Sequence, residues 1–111
     1  MSGRRQELLD ELERHYHGCG WKAERAEDGT VRAAGPGGVT WIGLPVVPED
    51  LADESLADRL RALAEERMPG RRERCPLEIL PDPACADDVR ALLDSLRLRE
   101  RGHVEVYSLA A

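Results

Sequence analysis

Apolar positions near the start of the chain recur with a helical period. Leu8, Leu9, Leu12 and Tyr16 share one face and charges fill the other, so the spacing predicts a helix over 3–17. Ser2 supplies an N-cap, and Gly18 with Gly20 a stop. The period then changes. "WKAERAEDGTVRAAG" holds two short extended runs around Asp28-Gly29, which predicts a hairpin with strands over 21–27 and 30–34 and a type I′ turn. "VTWIGLPVV" (39–47) is the most apolar run and reads as a strand buried on both faces.

Beyond Pro48 the helical period returns. Leu56, Leu60 and Leu63 predict a helix over 50–67 that is acidic at its start and basic at its end, as the helix dipole favours. "CPLEIL" (75–80) reads as a short strand. Asp82-Pro83 opens another helix, which turns Cys85, Val89, Leu92, Leu93 and Leu96 inward and runs to a stop at Gly102. "HVEVYSL" (103–109) alternates as a last strand. The order α-β-β-β-α-β-α-β predicts an α/β fold, with α+β as the alternative. It is expected as a two-layer sandwich with a mixed sheet of about five strands, in a single domain over 1–111.

Charge narrows the functions open to such a fold. A net charge of -6 disfavours both nucleic acid and an anionic membrane surface as partners. Lys22 is the only lysine among 16 basic residues, asparagine is absent and alanine abundant, the bias of a GC-rich, bacterial genome. The charged N-terminus lacks the apolar core of a secretory signal. Three cysteines at no recognised spacing argue against a disulfide framework. A cytoplasmic protein is therefore expected, without a cofactor.

Four groups of residues could carry chemistry. In "HYHGCGW", His15, His17 and Cys19 would line one face of a strand and could chelate a metal. The helical period runs through His15, however, which separates the two histidines and leaves Cys19 as a small buried residue. Cys85 lies near a helix N-terminus, where a thiol is activated, but Asp87, Asp88 and its place on the apolar stripe favour a core role. His103, Glu105 and Tyr107 alternate onto one face of the last strand and could act as acid and base around a pocket. A two-residue turn would set Arg25 opposite Arg32 beside Trp21, a combination suited to a carboxylate or phosphate. "RMPGRRER" (67–74) reads as a solvated basic loop, and "AAGPGGVT" lacks the lysine of a P-loop.

No catalytic motif dominates. The leading expectation is a non-enzymatic interaction or regulatory domain that binds a partner protein or its own copy, because strands leave edges that need covering. The competing expectation is an enzyme or small-ligand binder with a pocket at the strand ends, using Cys85 or the His103, Glu105 and Tyr107 face.

Overall fold

A five-stranded mixed sheet organises the chain in the computed structural model, which describes residues 3–107. Helix α1 (Gly3–Gly18) leads into strands β1 (Lys22–Arg25), β2 (Val31–Ala34) and β3 (Thr40–Val46). A single turn, α2 (Pro48–Leu51), and helix α3 (Leu56–Glu65) cross to β4 (Leu77–Pro81), and α4 (Ala86–Ser95) crosses to β5 (Val104–Val106). The strands lie in sequence order. β1, β2 and β3 pair antiparallel, whereas β3, β4 and β5 pair parallel. The α/β class, the mixed sheet and the element order match the expectation.

The layering differs from the expected two. Strands β3, β4 and β5 advance in one direction, so right-handed crossovers place α3 and α4 on the same face. There Leu60, Leu63, Val89 and Leu93 pack on Ile42, Leu44, Leu77 and Ile79. The other face is also apolar, with Val31, Ala33, Val47 and Leu80, and α1 covers it through Leu8, Leu9, Leu12 and Tyr16. The result is three layers. It also explains why β3 reads as buried on both faces.

Three local differences have physical causes. The hairpin loop is three residues long. Ala26 N–H bonds Thr30 C=O (2.8 Å), Gly29 N–H bonds Ala26 C=O (3.2 Å), and only Gly29 takes a positive φ, of 85°. That is a type I turn closed by a left-handed glycine, not type I′. The expected helix over 50–67 breaks between α2 and α3. There Asp53 Oδ1 accepts the Ser55 amide (2.9 Å) and hydroxyl (2.8 Å), an alternative to continued helix. α4 ends at Ser95, and a single 3₁₀ turn (Arg99–Arg101) carries the chain to Gly102. The N-cap expected at Ser2 and the strand positions 108–109 lie outside the described residues.

No helix among the described residues is long and apolar enough to cross a membrane.

Candidate functional site

The hairpin turn decides where the arginines go. One extra loop residue shifts the register by one, and a one-residue shift sends a side chain to the opposite face. Arg25 therefore lies opposite Val31, and Arg32 opposite Glu24. Arg25 reaches α1, where its guanidinium meets Glu13, Asp10 and, at 2.8 Å, Gln6. Arg32 turns to the α3 side and binds Glu66 and Asp28. The expected Trp21, Arg25 and Arg32 group is thus divided, and both arginines are neutralised by acids of their own chain.

The metal-like stretch ends the helix. Trp21 N–H bonds Tyr16 C=O (3.1 Å) and Gly20 N–H bonds His17 C=O (2.9 Å), with Gly20 at φ 84°, a Schellman stop. His17 is exposed, and His15 turns to Tyr107, whose hydroxyl lies 3.2 Å from Nδ1. Cys19 is exposed, not buried as expected, because the turn at Gly20 leaves it on the outside of the bend. No group of three metal-ligating side chains occurs among the described residues.

Cys85 occupies the aliphatic core, its Sγ 3.7 Å from the Val46 carbonyl. Burial raises its thiol pKa, and the charges of Asp82 and Asp88 add to the effect, so the neutral form prevails. The neighbouring strand ends, where α/β pockets commonly lie, are tied to the start of α1. Arg4 pairs with Asp82 (3.3 Å) and Arg5 with Asp50 (2.6 Å).

The opposite end of the sheet is more open. All four aromatic side chains lie on the α1 face. Trp21 stacks on Trp41 with ring centres 4.0 Å apart, and Tyr107 packs on His15 at 4.6 Å. Tyr16 crosses directly above Gly43. A Cβ at that position would sit 2.9 Å from the Tyr16 hydroxyl and 3.0 Å from Leu12 Cδ2, so only glycine admits the ring. The Tyr16 hydroxyl donates to Glu78 Oε1 at 2.7 Å. Burial and the Glu78 charge raise the Tyr16 pKa well above its ordinary 10.0, which keeps it a neutral donor.

Beyond the end of α1, Trp41, Pro76, Glu78, His103 and Glu105 are among the residues that line a cleft of about 250 Å³. Glu78 and Glu105 are register partners on adjacent strands. Of the expected polar face of the last strand, Glu105 and Tyr107 share the α1 side, whereas the His103 ring turns to α3 and meets the Ala64 carbonyl at 2.7 Å. The three groups are not brought together around one reacting atom. Glu78, Trp41 and Gly43 escaped the sequence reading. The signals were present: a lone acid inside "CPLEIL", and a glycine inside the most apolar strand, which marks a close approach.

Fold and cleft together define an α/β domain with an aliphatic core on one face of the sheet and, on the other, all four aromatic side chains and the Tyr16–Glu78 hydrogen bond. No protein-family model matches the sequence, and no match emerges to a curated protein or a solved structure.

Proposed function

We propose that this chain is a non-enzymatic protein-interaction domain that binds a partner along the outer edge of β5. The observation that carries the reading is the pairing of that strand. β5 bonds β4 on one side, with Leu77 N–H to His103 C=O (2.8 Å) and Tyr107 N–H to Ile79 C=O (2.7 Å). Alternation turns the N–H and C=O of Val104 and Val106 outward, where no strand among the described residues meets them. Such an edge is a template for another chain, and addition of a strand is a recurrent mode of peptide recognition.

The other edge supports the choice. β1 is lined by Lys22, Glu24 and Arg25, and charged side chains deter edge pairing. Three free cysteines suit a reducing compartment, so a cytoplasmic setting belongs to the same proposal. The separation of Cys85 from His103, Glu105 and Tyr107 favours binding over catalysis.

Val106→Pro tests the reading. The Val106 amide faces outward, so proline removes a donor from the edge and none from the ladder. Wild-type protein used as bait in cells that encode it retains one partner stoichiometrically. The Val106→Pro variant loses that partner while melting within a few degrees of wild type. A partner held equally by both forms overturns the edge reading, and so does a strict monomer that captures nothing.

A further inference from the structure

Resting on the β5 reading, we infer that the partner contributes an extended segment in which an arginine or lysine stands between two apolar residues. An unfavourable contact points to this pattern. Glu78 and Glu105 lie side by side on neighbouring parallel strands, and like charges so placed destabilise a sheet. No basic side chain among the described residues pairs with either one. Tyr16 donates a neutral hydrogen bond to Glu78 and brings no positive charge to it. The half-buried Glu78 and exposed Glu105 therefore present two carboxylates to the cleft, with Trp41 as an aromatic wall.

A strand added outside β5 would place one side chain opposite Glu105 on this face. A guanidinium or ammonium there faces both carboxylates and forms charge-assisted hydrogen bonds with them. The residues before and after it point to the other face. There Val106, Leu92 and Leu96 are half-buried hydrophobics that continue the aliphatic core, so apolar neighbours suit those positions. The pattern is apolar, basic, apolar.

A second copy of this chain fits the edge poorly. Outward groups on Val104 and Val106 select a two-fold antiparallel register centred on Glu105. Opposed residues at such a centre have Cα atoms about 4.5 Å apart. Two Glu105 side chains would then join two Glu78 side chains with no cation among them.

The test uses the full chain labelled with ¹⁵N and two blocked seven-residue peptides, one of alternating valine and arginine, the other with glutamate in place of arginine. The arginine peptide is expected to shift the amide signals of residues 104–106. The glutamate peptide binds at least roughly tenfold more weakly, as loss of one charge-assisted pair implies. Glu105→Arg reverses the preference, and Glu78→Gln weakens the arginine peptide without reversing it. Equal binding of both peptides overturns the basic-segment inference and leaves the edge reading standing. Shifts at residues 104–106 that grow with protein concentration alone make the occupant a second copy, and overturn it too. Silence with both peptides, while Val106→Pro still releases the captured partner, again sinks this inference alone. Silence together with a capture indifferent to Val106→Pro sinks both readings.

Discussion

The two faces of the sheet solve the same burial problem with different materials. Toward α3 and α4 the strands present Ile42, Leu44, Val46, Leu77, Ile79 and Val104, and shape complementarity among aliphatic groups does the work. Toward α1 they present a notch at Gly43, a carboxylate at Glu78 and the paired indoles. The first face is specified by volume. The second also needs a hydrogen bond and a missing side chain, so it responds to chemistry that the first ignores. Function is more readily sited on the second, because polar groups there are held in fixed positions near an opening.

The largest effect that tests this contrast is Leu93→Ala. The side chain is fully buried among aliphatic neighbours, and truncation should cost about 2–5 kcal/mol in urea denaturation. Leu60→Met, which nearly conserves volume, should cost less than about 1.5 kcal/mol. A large loss from both would mean that the aliphatic face demands more than volume.

Gly43→Ala should follow on the other face. One added methyl meets the Tyr16 hydroxyl at 2.9 Å and Leu12 at 3.0 Å, and overpacking of this kind costs about 1–3 kcal/mol. Tyr16→Phe in the same chain removes the closest of those atoms. The double variant should therefore be more stable than the sum of the two single losses predicts. Strict additivity would place the strain elsewhere than at the notch.

Tyr16→Phe alone should cost about 1.5 kcal/mol near neutral pH, the worth of a hydrogen bond to a charged acceptor. It also carries the alkaline dependence. The folded-state pKa of Tyr16 is raised above 10.0, so its contribution is intact below that pH. The contribution is lost as pH rises from 10.0 toward the folded value, because the unfolded chain ionises first. Stability of the wild type should fall above pH 10 more steeply than that of Tyr16→Phe, while Tyr107→Phe removes a smaller share. Parallel curves for wild type and Tyr16→Phe would refute the assignment.

The contrast between faces also explains what could be read in advance. Strand and helix order followed from the period of leucine and valine, since aliphatic packing asks only for spacing. α1 and β3 were legible almost to their ends. Whether α1 lay with α3 and α4 or across from them was not, because period shows that a stripe is buried without naming what buries it. The positions of Arg25 and Arg32 failed for a narrower reason. Asp-Gly fits two loop lengths, and one residue of difference exchanges the faces. At the candidate site, Glu105 and Tyr107 were visible through alternation. Glu78 was hidden because its neighbours Gly43 and Glu105 come from distant segments that only the sheet brings into register.

The smallest effect belongs to the rim of the aliphatic face and completes the contrast in pH. Glu65, at the end of α3, pairs with Arg101 and Arg74, and these hydrogen bonds lower its pKa from 4.5 to about 2. A depressed carboxylate stabilises the fold above 4.5, and that share disappears as pH falls through about 2. Because the group is solvent-exposed, screening keeps the contribution small and sensitive to salt. Glu65→Gln should flatten the acid limb between pH 4.5 and 2 at low ionic strength and leave the limb above pH 10 unchanged. Tyr16→Phe should do the reverse. If either substitution moved both limbs, the two faces would be electrostatically coupled across the sheet, and the division of labour drawn between them would fail.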